Sequence, residues 1–191
     1  MADFGGSNTP EEFRDRWQTP VEIFTALDIE FGFYLDAAAD YKNSLCAHYL
    51  TERDDALECD WVSCGSIYCN PPYSNIGPWI LKATEQRRKQ LQTVVMLVPA
   101  DTSVGWFKLA MESVDEIRLI TGGRISFINA GNGRPVNGNN KGSLLLIWRP
   151  FIKPRCIFTT VDRDELISTG SNILKEIKSH EINQLNKADR S

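Results

Sequence analysis

The segment Ser66-Ile67-Tyr68-Cys69-Asn70-Pro71-Pro72-Tyr73 constrains this chain more than any other. Four residues of strand-like character run into an asparagine and are stopped by two prolines. Each proline fixes φ near about −65° and removes a backbone donor, so neither a helix nor a central strand continues through them. The carbonyls of the loop are therefore rigid and not spent on a helix. An exocyclic amine on adenine, cytosine or an amide shares its lone pair with a π-system and is a weak nucleophile. If the Asn70 side-chain oxygen and the Pro71 carbonyl accept its two N–H hydrogens, the nitrogen moves toward tetrahedral geometry and its lone pair is localised for attack. No general base is needed. Tyr73 adds a face on which a planar base can stack, worth about 1–3 kcal/mol.

A chain of 191 residues with 42% hydrophobic content suits one globular domain spanning residues 1–191. Residues 1–6 lack a signal-peptide pattern and no apolar run approaches about 18 residues, so the expected location is the cytoplasm, without membrane contact. Five cysteines, an odd number without C-x-x-C pairs, argue for reduced thiols. His48 with Cys46, Cys59 and Cys64 fits no standard zinc spacing, so no metal is expected. The net charge of −4 hides a segregation. Residues 1–61 carry fourteen Asp and Glu against four Lys and Arg, whereas residues 117–161 carry Arg118, Arg124, Arg134, Lys141, Arg149, Lys153 and Arg155 without one carboxylate. That acid-free stretch is a candidate polyanion-contacting face.

Two helix starts are signalled by a Thr N-cap, Pro at the first helical position and a following Glu: Thr9-Pro10-Glu11-Glu12 and Thr19-Pro20-Val21-Glu22. The second predicts a helix through Ile23, Phe24, Leu27 and Phe31. Phe33–Asp36 reads as a strand ending in an acid, followed by a tight turn of small residues, Ala37-Ala38-Ala39. After the strand into Asn70, Ser74 is expected to cap a helix through Ile76, Trp79, Ile80 and Ala83 that ends at Arg87-Arg88-Lys89, where cations suit the helix dipole. Thr93–Val98 predicts a buried central strand stopped by Pro99. A short helix over 104–111 and a strand over 117–120 follow. Gly-rich hairpin chemistry fills 122–143, strand-like residues resume at 144–148, and a helix is expected from Asp162 to about Ile182 before the chain frays over 183–191. Alternating strands and helices followed by antiparallel-looking β predict an α/β sandwich finished by a hairpin. Ligands of such sheets sit beyond the carboxyl ends of the strands, so Asp36, Asp55, Asn70 and Pro99 should share one rim.

In sequence order, Trp17-Gln18-Thr19-Pro20, Leu35-Asp36-Ala37-Ala38-Ala39-Asp40, Asp55-Ala56-Leu57, Asn70-Pro71-Pro72-Tyr73 and Gly123-Arg124-Ile125-Ser126-Phe127 resemble the phage-encoded DNA adenine-N6-methyltransferases, the Dam-like family. The resemblance covers roughly residues 17–150. It implies a Rossmann-like fold with a mostly parallel central sheet and a C-terminal antiparallel hairpin, and S-adenosylmethionine as methyl donor. It assigns Asn70, Pro71, Pro72 and Tyr73 to catalysis. Trp17, Thr19, Pro20, Asp36, Ala37, Ala38, Asp40, Asp55, Ala56 and Leu57 are assigned to the cofactor, with Asp55 accepting from its adenine amino group and Asp36 or Asp40 holding the ribose. Arg124, Phe127, Arg134 and Lys141 are assigned to double-stranded DNA, Phe127 packing a flipped base opposite Tyr73. The Gly-x-Gly turn of many methyltransferases is replaced here by Ala37-Ala38-Ala39.

These readings predict a monomeric enzyme that methylates N6 of a flipped-out adenine. The same loop could serve cytosine N4, an RNA base or a protein glutamine amide. A non-catalytic nucleic-acid-binding module is the alternative of another class. Against it stands the intact tetrapeptide with Asp36 and Asp55.

Overall fold

The computed structural model describes residue 15 and residues 17–135, 141–151, 153 and 155–188, so the helix start expected at Thr9-Pro10 lies outside the described residues. In chain order the elements are β1 (Trp17–Gln18), α1 (Val21–Phe31), β2 (Phe33–Asp36), β3 (His48–Tyr49), β4 (Ser66–Cys69), α2 (Gly77–Gln90), β5 (Val94–Pro99), α3 (Gly105–Met111), β6 (Glu116–Thr121), β7 (Ile128–Asn129), β8 (Ser143–Trp148), β9 (Ile157–Asp162) and α4 (Arg163–Ala188). Seven strands form one sheet in the order β3-β2-β4-β5-β8-β6-β9. Neighbours are parallel except β8, which runs antiparallel to both β5 and β6. The chain is thus a mostly parallel α/β sandwich whose antiparallel pair is the wide hairpin of β6 and β8. β9 returns parallel to β6 at the edge.

Strand alternation explains the three layers. On β5, Val94, Met96 and Val98 face one core with α2 and α3, while Val95 and Leu97 face the other with α1 and α4. β8 divides likewise, with Leu144, Leu146 and Trp148 on one side and Leu145 and Ile147 on the other. Both faces of these strands are covered, which is why they read as continuous apolar runs.

The α1 stripe buries Ile23, Phe24 and Leu27, and Gly32 closes the helix at φ 63°, donating its N–H to the Asp28 carbonyl. Gly170 lets α4 lie against α1: a Cβ there would stand 1.9 Å from the Glu22 carbonyl oxygen.

Several local expectations are corrected. Pro20, not Thr19, is the N-cap residue of α1, with no side-chain cap bond. The Thr19 hydroxyl is spent instead on the buried Tyr68 hydroxyl, 2.7 Å away. Ser74 does not cap α2, whose N-cap residue is Ile76; its N–H donates to Asp15 Oδ1 at 2.9 Å. Asp55 is not at a strand end. It closes a 3-10 turn over Glu52–Asp54, at φ 50°. β3 lies at the sheet edge where the sequence shows no strand signal, and α4 runs to Ala188 rather than fading near Ile182. The basic cluster ending α2 supports the fold: Arg87 is buried against Asp115 at 3.2 Å and Lys89 pairs with Asp60 at 2.7 Å. The five cysteines are free thiols. No described helix is long and apolar enough to cross a membrane.

Candidate functional site

Parallel strands deliver the motifs to one rim. β2 ends at Asp36, β4 leads into Asn70, β5 ends at Pro99, and Asp55 follows a few residues beyond β3. In the register, Asp36 lies beside Tyr68, two residues before Asn70. The Ala37 N–H donates to the Tyr68 carbonyl at 2.8 Å, tying the small-residue turn to the strand that leads into the Asn70–Tyr73 loop.

Asn70 is oriented from outside its own element. Its Nδ2 donates to the Trp17 carbonyl at 2.7 Å, whereas its Oδ1 is buried without a hydrogen-bond partner. The Tyr73 hydroxyl is likewise buried and unpartnered. Native structures leave few buried polar atoms unpaired, because each costs about 1–3 kcal/mol. Two of the four such atoms among the described residues lie within the four residues of this loop; the other two belong to the buried Arg87–Asp115 pair.

Asp36 is a buried charge-bearing group near the same loop. It is buried at 4% exposure, and its Oδ1 accepts from the Ala38 N–H at 3.2 Å. Burial pushes its carboxyl up to about 6, against lowering by the Ala38 and Leu45 backbone hydrogen bonds. Burial also raises the Tyr68 and Tyr73 hydroxyls, so both stay neutral donors. A buried carboxylate that no cation pairs with among the described residues suits a ligand that brings hydroxyl or ammonium donors.

The other expected cofactor positions differ in exposure. Ala37 and Ala56 are buried, Ala38, Leu57, Trp17 and Pro20 are half-buried, and Asp40 and Asp55 are exposed. Asp40 closes its own turn, accepting the Lys42 N–H at 2.6 Å. Among the described residues no group of three His, Cys, Asp or Glu could hold a metal ion.

On the other side of Tyr73 a cleft of about 420 Å³ opens between the loops after β4 and β5, lined by Tyr73, Pro99, Asp101, Val104, Trp106 and Lys141. Lys141 pairs with Asp101, which with Ser103 lowers the Asp101 carboxyl to about 2. Phe127 is buried at 2% exposure and meets the Tyr73 ring edge-on, centroids 6.1 Å apart and planes at 86°. It thus stands behind Tyr73 in the core rather than facing open space.

The acid-free stretch is not one surface. Because β8 runs against its neighbours, Arg124, Arg134 and Lys141 lie at the Asn70 rim, while Arg149, Lys153 and Arg155 lie at the opposite end of the sheet. Arg118 forks onto Glu30 at 2.6 and 2.8 Å and also bonds Glu116. Arg149 pairs with Glu116 at 2.7 Å. These cations serve the fold. Arg124 and Arg134 are exposed, and the Arg124 carbonyl accepts from Arg163 Nη1 at 3.1 Å.

Three contributions had no motif to announce them: the Trp17 carbonyl, the Tyr68 hydroxyl and Asp101. The first is a backbone group, and Tyr68 read only as a strand residue. Asp101 directly follows the strand-ending Pro99-Ala100 step, a position that could have flagged it.

The DNA N-6-adenine-methyltransferase (Dam) family model matches residues 6–173. The DNA N-6-adenine-methyltransferase of Escherichia phage T1 is 36% identical over 161 residues, covering 76% of this chain and 67% of that protein. The enzyme of the same description from Haemophilus phage HP1 is 36% identical over 148 residues, covering 75% of this chain and 84% of its own. With the Asn-Pro-Pro-Tyr loop at the carboxyl rim of a mostly parallel sheet, and with this extent of match, the chain belongs to the DNA N-6-adenine-methyltransferase (Dam) family.

Proposed function

We propose that this single-domain protein methylates N6 of an adenine rotated out of double-stranded DNA, acting as a monomer in the bacterial cytoplasm with S-adenosylmethionine as donor. Family membership gives the reaction, DNA adenine-N6 methylation, and sets aside cytosine N4, RNA bases and glutamine amides. The observation that carries the residue assignment is the orphaned Asn70 Oδ1, in the residue just before Pro71.

S-adenosylmethionine, when bound, supplies an electrophilic methyl group on a sulfonium. The buried, cation-free Asp36 and the small Ala37-Ala38 turn fit that group, as acceptor and as space for close approach. Asp55 accepts from the adenine amino group of the cofactor, and Asp36 or Asp40 holds its ribose. Asn70 Oδ1 and the Pro71 carbonyl accept the two amine hydrogens, which localises the nitrogen lone pair for in-line attack. Pro72 holds the loop, and Tyr73 stacks on the base from the half-buried position set by Phe127. An adenine amine inside a duplex cannot reach a methyl donor, so the base leaves the stack at a cost of a few kcal/mol, offset by these contacts. Arg124, Arg134 and Lys141 lie where the flanking phosphates pass. Incubation with labelled S-adenosylmethionine and duplex DNA, followed by nucleoside analysis, should yield N6-methyladenine. Label in N4-methylcytosine, or none in DNA, would refute the reading.

A further inference from the structure

We propose that the short ribbon made by β1, β7 and Pro135 is a positioning device for the Asn70 amide, with Trp17, Gln18 and Ile128 as positioning residues. The inference rests on the assignment of Asn70 to the target amine.

The two ends of an asparagine amide have nearly the same shape, so packing alone discriminates poorly between its two orientations. Only the orientation with oxygen toward the incoming amine can accept its hydrogens. The Trp17 carbonyl makes that choice. A carbonyl accepts and cannot donate, so it takes Nδ2 at 2.7 Å and leaves Oδ1 on the other side, buried and free. A flipped amide would set oxygen against oxygen at Trp17 and N–H against N–H at the substrate.

The ribbon in turn aims the Trp17 carbonyl. β1 pairs with β7 antiparallel, Trp17 opposite Asn129 and Gln18 opposite Ile128, and Ile128 bridges to Pro135. The Asn129 N–H donates to the Arg134 carbonyl at 2.9 Å, on the side away from β1. Successive peptide groups of a strand point to opposite sides, so the groups of Ile128 face β1. Gln18 meets them, and the carbonyl of its neighbour Trp17 is left turned toward Asn70. The buried Thr19–Tyr68 hydroxyl pair anchors the same segment one residue further on. A two-residue strand on a surface ribbon, remote in sequence from the catalytic loop, thereby sets the orientation of its asparagine.

The test is a double-mutant cycle read by single-turnover methyl transfer at saturating S-adenosylmethionine and duplex DNA. Ile128→Pro removes the N–H that faces β1, and Gln18→Pro removes the opposing one, so either variant serves if the other fails to fold. In the wild-type background each should slow transfer by about 10- to 100-fold, the size expected for a misplaced reacting group. In the Asn70→Ala background the same proline should slow it no further. Equal factors in both backgrounds, or no loss in the wild-type background, would overturn the inference, because a merely structural ribbon acts independently of Asn70. If Asn70→Ala alone keeps the wild-type rate, the assignment of Asn70 fails, and the ribbon proposal falls with it.

Discussion

Replacing Asn70 by alanine should separate activity from stability, and the structure gives the size of each effect. The substitution removes the hydrogen bond to the Trp17 carbonyl, worth about 0.5–1.5 kcal/mol net, and leaves that carbonyl short of a partner. It also removes Oδ1, a buried acceptor whose unsatisfied state costs about 1–3 kcal/mol in the resting protein. These contributions nearly cancel. With about 2–4 °C per kcal/mol for a domain of this size, the midpoint of thermal unfolding should move by less than about 4 °C. Activity has no such compensation. Losing one preorganised acceptor of the amine should cost about 10²–10³ in the single-turnover rate, as removal of an oxyanion-hole donor does. S-adenosylmethionine binding, measured by calorimetry, should change little, because Asn70 is assigned to the other substrate. A rate within a few-fold of wild type would remove Asn70 from the mechanism. A fall of more than about 10 °C in the midpoint would instead make it a structural residue.

Four further outcomes are expected. Asp36 titrates near 6 in the fold against 3.8 when exposed, so the folded state holds the extra proton between those values and the contribution of Asp36 to stability falls as pH rises from about 4 to 6. At about 1.4 kcal/mol per unit, Asp36→Asn should relieve up to about 3 kcal/mol at pH 8 while weakening S-adenosylmethionine binding; urea unfolding of both proteins across pH 4–8 that gives parallel curves would refute this. Tyr73→Phe should leave the free protein as stable or more so, since its hydroxyl has no partner, and a loss above about 1 kcal/mol in urea unfolding would show a partner in the resting state. Gly170→Ala gains about 1 kcal/mol of helix propensity but drives Cβ into the Glu22 carbonyl, so thermal unfolding should show a net loss of about 1–2 kcal/mol; a stabilised variant would mean that α4 does not dock as described. Arg134→Gln should flatten the slope of log K for DNA against log salt by about one unit, and Lys141→Gln by less because Asp101 already pairs with Lys141; no change for Arg134 would take that turn off the DNA.

Much of the fold was legible because its signals are local. The apolar runs of β4, β5 and β8, the spacing of Ile23, Phe24 and Leu27, and the prolines that end strands each act within a few residues. What was misread depended on partners far along the chain. Thr19 has the chemistry of an N-cap, yet a buried tyrosine hydroxyl 49 residues away is a more demanding partner than a helix end open to water. β3 is two residues long, too short to announce itself in the sequence. It exists because β2 offers it an edge.

The site divides along the same line. Asn70, the two prolines and Tyr73 are contiguous, so the chemistry of the loop could be read without its surroundings. The orientation of Asn70 could not, because the group that fixes it is a backbone carbonyl, and every residue type supplies one. Charge was legible as composition but not as a surface. Seven cations without a carboxylate look like one basic face until the reversal of β8 sends Arg149, Lys153 and Arg155 to the end of the sheet opposite Asn70. Only three of the seven reach the rim, and one of these is paired with Asp101. A phosphate backbone approaching this rim therefore meets less free positive charge than the sequence advertises. On the proposed reading, that places more of the burden of holding a flipped base on the loop itself, where Asn70 Oδ1 and the Tyr73 hydroxyl are buried without partners.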